Sequence, residues 1–338
     1  MTKDNSRIYK YFTINEWLFS TLINNDIFFA DSRNFNDPFD SRPIFQITED
    51  KEKGEKLFRE IKDEINRHKV AIQKILYFDE KLKSQNYQYE NILELIMEQG
   101  ELFSSSNESS DDSLIRIFSF YNQDNIFDKA SKINYLQLQK YMFKDIVFLL
   151  IDLNNIGVTC GSLKNDCPVM WGHYGNNHTG VCFEFEVAND KKEDIFSYDE
   201  DINFSYTNVE YTNAPIDLFC KNKIDLENVK QKLLHTKSAK WEYENEVRIT
   251  APRQGSLKFK KTSLKAVIFG AKSTPKNRYT LCKLLASLGY RFEFKIARIQ
   301  TDQYEMKIET MNLNDIAGSG VNIEELGLGI AYKKAMNK

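Results

Sequence analysis

Two glutamates in the segment KWEYENEVRI stand closest to a chemical task. If Glu244–Ile249 is extended, Glu244, Glu246 and Arg248 share one face, and Val247 and Ile249 point into a core. Two carboxylates on one face, flanked by Lys240 and Trp241, can stabilise a developing cation or activate a nucleophile. The plainer alternative is a solvated strand face whose Glu–Arg pair adds little stability. A second segment, MWGHYGNNHTGVCFEF, sets Trp171, His173, Tyr174 and His178 in a Gly-interrupted loop that leads into a strand. Such groups can stack a planar ring and hydrogen-bond to it, although Met170 and Trp171 would serve equally as core. The third segment is FNDPFD. Its Asp37 and Asp40 could join Glu244 and Glu246 around a nuclease metal, or form an Asx-turn ahead of Pro38.

Cys160, Cys167, Cys182 and the two histidines of the loop are spaced too loosely for a structural zinc, so no metal is expected. Phosphate-loop, dinucleotide-fingerprint, zinc-protease and serine-hydrolase motifs are all missing from the sequence.

The elements that must position these residues follow from periodicity. Ile8–Phe12 is β-prone, Thr13 suits the N-cap of a helix over Asn15–Asn24, and Ile27–Ala30 is a second strand. Charged and apolar residues recur at helical spacing over much of 49–145, which predicts a helical insertion interrupted by the polar run Ser104–Asp112. Strands are expected at Ile156–Leu163, Gly180–Val187, Phe204–Tyr211, Glu246–Pro252 and Lys265–Gly270. In the second of these, Val181, Phe183, Phe185 and Val187 face the core while Cys182 points away from it. Helices are expected from about Leu218 to Ser238 and from Thr274 to Leu288, then strands at Tyr290–Ile296 and Tyr304–Glu309. The fold class is α+β: a mixed β-sheet body in one domain over 1–312, with the helical insertion and a peripheral tail over 313–338.

The bulk numbers narrow the setting. With 338 residues, 41% hydrophobic and 13% aromatic, the chain can bury a large core. A net charge of −3 displays no basic stripe for nucleic acid. Five scattered cysteines suit a reducing compartment without disulfides, and no apolar run suits a signal peptide or a membrane span. A cytoplasmic protein without membrane contact is expected.

In order, YKYF, FFADSRNFNDPFD, CGS, MWGHYGNNHTGVCFEF, KWEYENEVRI and VIFGAKSTP resemble the bacterial family called domain of unknown function 2971, over about Ile8 to Ile308. A more distant resemblance is to the ADP-ribosyltransferase fold: a first strand with a polar residue, a middle strand leading to aromatics, and Glu-x-Glu at a strand start. This likeness implies NAD as the substrate cofactor. Glu246 takes the catalytic place and Glu244 the position two before it. Ser162 or Tyr174 falls on the middle-strand motif, and Lys10 and Tyr11 lie on the first strand, where an Arg or His is usual. Trp171, His173 and Tyr174 would wall the nicotinamide, Lys10 or Arg33 would anchor pyrophosphate, and Asn36 or Asp37 would line the same cleft. The implied activity is NAD-dependent ADP-ribosyl transfer or NAD hydrolysis by a toxin or phage-defence effector. Its acceptor would be an unknown protein or nucleic acid, and a partner protein in the defence system would accompany it. The alternatives are a metal-dependent nuclease and a non-catalytic binding or regulatory module.

Overall fold

In the computed structural model, the described residues are 7–41, 156–187, 204–216, 226–290 and 293–312, with a few short stretches between them. The expected insertion over 49–145 and the tail after Asn312 lie almost wholly outside these residues. The chain divides into two compact units: Met1–Phe35 with Ile156–Asn213 and His235–Lys338, and Asn36–Asn155 with Ala214–Leu234.

The elements run β1 (Arg7–Phe12), α1 (Glu16–Asn24), β2 (Asp26–Phe29), β3 (Gly157–Ser162), α2 (Pro168–His173), β4 (Val181–Glu186), β5 (Ser205–Asn208) and β6 (Glu210–Thr212). They continue with β7 (Phe219–Cys220), β8 (Lys223–Ile224), α3 (Leu226–His235), β9 (Thr236–Ser238), a 3-10 helix (Ala239–Glu244) and β10 (Glu246–Ala251). Last come β11 (Gly255–Lys258), β12 (Leu264–Phe269), α4 (Pro275–Ser287), β13 (Glu293–Ile299) and β14 (Met306–Thr310). Among the described residues no helix is long and apolar enough to cross a membrane.

The first unit is built on an eight-stranded mixed sheet, ordered β14-β13-β12-β4-β1-β3-β10-β5. Only β12 and β13 in it run parallel, joined through α4, whose N-terminus Thr274 caps. Both faces are covered. Ile8, Phe183, Phe185, Val247, Ile249 and Val267 meet α1 and α4 in the main core, as the strand alternation predicts. The other face carries a smaller cluster of Trp171, Cys182, Ile268, Ala297 and Met306. Cys182 therefore does point away from the main core, yet is buried in the second cluster.

The join between β1 and β3 is narrow. Their ladder has one residue pair, Tyr9 opposite Ser162. Further along that edge of β3 the Cys160 carbonyl accepts from Lys10 Nζ at 2.9 Å, and Val158 exchanges backbone bonds with Ala30 at 2.8 and 2.9 Å. A lysine side chain thus stands where a strand amide would otherwise donate.

Four local expectations change. Asn15, not Thr13, caps α1, its side chain accepting from Leu18 N at 3.1 Å. The strand expected over Phe204–Tyr211 splits, because Val209 still bonds Glu246 O while the residues after it turn to pair with β9. The helix expected over Leu218–Ser238 narrows to α3, since Thr236–Ser238 is extended. Met170–His173 is helical rather than loop, with Pro168 in the first turn, and the loop proper is Asn176–His178, three left-handed residues at φ 49°, 53° and 69°.

In the second unit, Gln46 and Ile44 exchange backbone bonds with Ile216 at 2.8 and 2.7 Å. Asp37 Oδ1 accepts from Phe39 N at 2.9 Å, so FNDPFD forms the expected Asx-turn.

Candidate functional site

Register sets the first line of the site. Glu184 on β4, Tyr9 on β1, Ser162 on β3 and Glu246 on β10 are successive cross-strand partners, a polar row on the face opposite the main core. The Ser162 hydroxyl donates to the Glu244 carbonyl at 2.5 Å and accepts from Lys164 N at 3.0 Å, tying β3 to the segment before β10.

Glu244 reaches the row by a route that strand alternation does not provide. It ends the 3-10 helix, Ser238 caps that helix, and Asn245 at φ 44° turns the chain into β10. Asn tolerates this left-handed conformation better than most residues. Glu244 is therefore not on the strand, contrary to the extended reading, yet its carboxylate converges with that of Glu246 on one lysine. Lys237 Nζ donates to Glu244 Oε2 at 2.6 Å and to Glu246 Oε2 at 2.9 Å. Arg248 Nε donates to Glu246 Oε1 at 2.7 Å, and the Tyr174 hydroxyl to Glu244 Oε1 at 2.6 Å. The Tyr211 hydroxyl accepts from Glu246 N at 2.7 Å.

This cluster is not a solvated strand face. Glu244 is 3% exposed, Glu246 4% and Arg248 0%. Burial opposes the charge on Glu246, but Arg248 and Lys237 outweigh it and hold the carboxyl down at about 2. For Glu244 burial dominates over the help of Lys237 and Tyr174, so its carboxyl is raised. Burial also works against the Lys237 ammonium, and the two carboxylates overcome it and raise it above the ordinary lysine value. The Cys160 thiol, beside Glu246, is pushed well up by burial and by that carboxylate.

Aromatic rings rim the cluster. His173 lies 6.4 Å from Trp241 and 6.0 Å from Tyr243, and those two rings are 6.0 Å apart, all at crossed or tilted angles. Lys237 Nζ sits 5.0 Å from the Trp241 ring centroid, and His173 Nδ1 is 3.1 Å from the Tyr243 hydroxyl. His173 is exposed and Tyr174 half-buried.

Of the residues singled out from sequence, the fold brings together Glu246, Glu244, Ser162, Tyr174 and His173. Lys10 sits at the edge of the group, half-buried, its ammonium disfavoured by burial despite the Cys160 and Glu246 nearby. Tyr11 instead packs its ring edge-on to Trp171 at 5.1 Å and donates to Lys164 O at 3.0 Å. Trp171 offers no wall: it is 0% exposed and its Nε1 donates to Asn165 O at 2.8 Å, so it is a core residue. Asn36 and Asp37 belong to the second unit, not to the body that carries Glu246. The side chain of Arg33 lies outside the described residues. Sequence adjacency selected Lys240, which is exposed, whereas the fold selects Lys237. Lys237 and Tyr211 went unnoticed because they lie on the short strands β9 and β6, where no periodic signal builds up.

A metal fits poorly here, since Glu244 and Glu246 already face an ammonium and a guanidinium. Among the described residues no three His, Cys, Asp or Glu side chains gather as ligands.

The stretch from the aromatic turn to the glutamate strand is also where the chain is similar to a known family. Residues 170–249 match a family model, "Protein of unknown function (DUF2971)". That match covers most of α2 and of β10 and all of β4, the β6–β9 pair and the 3-10 helix, and with them Tyr211, Lys237, Glu244 and Glu246. No curated protein and no solved structure matches the chain.

Proposed function

We propose that the DUF2971 cluster is an NAD site that performs ADP-ribosyl transfer, or NAD hydrolysis where water is the acceptor. The observation that carries this reading is the convergence of Glu244 and Glu246, with the Tyr174 hydroxyl, on a row shared by β1, β3 and β10. These are the strands on which the ADP-ribosyltransferase likeness depends. In the reaction the bond from ribose C1′ to the nicotinamide nitrogen breaks and nicotinamide leaves with the bonding pair. The fixed negative charge of Glu246 faces the ribosyl cation and lowers its energy. The acceptor's nucleophile bonds to C1′ and gives its proton to Glu244, the carboxyl raised by burial. Exposed His173 with Trp241 and Tyr243 offers the ring-binding rim that Trp171 does not, and Lys10 offers a cation for pyrophosphate. The acceptor is a protein or nucleic acid, and the toxin or defence setting with its partner protein rests on the family resemblance alone.

A second reading has its own observation. Each Glu246 oxygen already holds a cation, and the residue is 4% exposed, as suits a structural network beneath a non-catalytic binding surface. Incubation with NAD separates the two. Nicotinamide release by the native protein, lost in Glu246→Asp, supports the enzyme, with a thermal melt reporting whether that variant still folds. NAD left intact by the native protein, with and without protein and nucleic-acid acceptors, leaves the binding module.

A further inference from the structure

We infer that Lys237 is the positioning residue of this cluster, its ammonium fixing Glu244 and Glu246 relative to each other and favouring the charged form of each. The role is framed on the reading above, but it stands on geometry. Lys237 is 5% exposed at its side chain and bonds both acids at 2.6 and 2.9 Å. Arg248 bonds the other oxygen of Glu246 at 2.7 Å, so Lys237 and Arg248 hold that carboxylate from two sides. Removing the ammonium would leave two buried like charges side by side, and one would have to take a proton.

The two-stranded sheet β6–β9, an odd appendage otherwise, then has a purpose. Its parallel register sets Tyr211 opposite Lys237. The Tyr211 hydroxyl accepts from the Glu246 amide while Lys237 donates to both carboxylates, so one small sheet holds the start of β10 at two points. The next residue, Ser238, caps the 3-10 helix that delivers Glu244. Trp241 in that helix places its ring against the ammonium. Other ionisable groups face the cluster from neighbouring elements: Tyr174 after α2, Cys160 on β3, Lys10 on β1 and Tyr243 beside Glu244. None of these is a cation bonded to both acids.

The experiment uses the full chain with Lys237→Met, Lys237→Arg and the double variant Lys237→Met/Glu244→Gln, melted across pH and assayed for nicotinamide release. In Lys237→Met the acids share a proton and lose it as pH rises, so the melting temperature should fall relative to wild type between about pH 5 and pH 8. Glu244→Gln in the double variant removes the repulsion and should restore much of the loss. Nicotinamide release should drop on the order of 100-fold in kcat with KM little changed, and Lys237→Arg should recover part of it. A Lys237→Met melt that runs parallel to wild type across pH overturns the inference, as does a double variant no more stable than the single one. If Lys237→Met does not fold at all, the double variant alone decides. Should wild type release no nicotinamide, the enzymatic reading falls, while the melts still judge the lysine.

Discussion

Glu184 and Glu246 stand at opposite ends of the same cross-strand row, and each meets two cations. Glu184, 1% exposed, takes Arg7 and, at 2.9 Å, Lys295. Glu246 takes Lys237 and Arg248. The partners differ in their access to water: Arg7 is 46% exposed at its side chain and Lys295 17%, against 5% for Lys237 and 0% for Arg248. A buried carboxylate with open partners can exchange them for water and counterions. One with sealed partners cannot, and its ionisation, geometry and stability become a single property. The row thus has a compliant end and a committed one, and the glutamate pair lies at the committed end.

Arg248→Met should break the comparison most sharply. It leaves Glu246 short of a buried partner, and equilibrium urea unfolding should register a loss of about 3–5 kcal/mol. A loss no greater than that for Arg7 would mean that sealing does not matter. Glu246→Gln comes next, at about 2–4 kcal/mol, because Arg248 then keeps a buried charge opposite a neutral amide. Because of that cost, Glu246→Asp is the better probe of chemistry.

The acid limb sharpens the same contrast. A carboxyl held at about 2 adds stability that is fully present above its ordinary value and lost as pH falls towards 2. Denaturation midpoints of the native protein should decline over that range, and Glu246→Gln should decline less. At the compliant end, Lys295→Met should cost about 1–2 kcal/mol in the same urea assay. Arg7→Gln is the smallest effect, below about 1 kcal/mol, and raising salt should shrink it further. If salt erased the Arg248 effect equally, the committed end would be as wet as the other.

Much of this was legible in the chain. The alternation of Val181, Phe183 and Phe185, the buried run ending at Phe269 and the first-turn Pro275 set strands and helix where the structure has them, because each rests on local pattern. Glu244, Glu246 and Tyr174, which stood out by residue type, lie within one hydrogen-bonded cluster. What stayed hidden depended on non-local geometry. Glu244 came to the site through one left-handed asparagine, and Lys237 through a three-residue strand whose partner lies in another short strand. Depth was hidden as well: nothing local distinguishes Glu246, sealed by Arg248, from Glu309, on the exposed side of Arg298. Trp171 read as a ring-binding wall because an aromatic in a Gly-rich stretch looks the same whether its face meets a ligand or Met306.

The single rung between β1 and β3 gives the sheet an uneven stiffness. On one side five strands hold one another, on the other three, and the backbone ladder between them is one residue pair, flanked by the side-chain bonds of Lys10 to Cys160 O and Tyr11 to Lys164 O. Gly161 lets the two plates meet so closely that a Cβ there would come within 2.4 Å of Ile8 Cγ2. Bending therefore concentrates along this joint rather than spreading through the sheet. Ser162 and Glu246 ride on one plate and Tyr9 and Glu184 on the other, so a molecule lying across the row would feel any change in the angle between them.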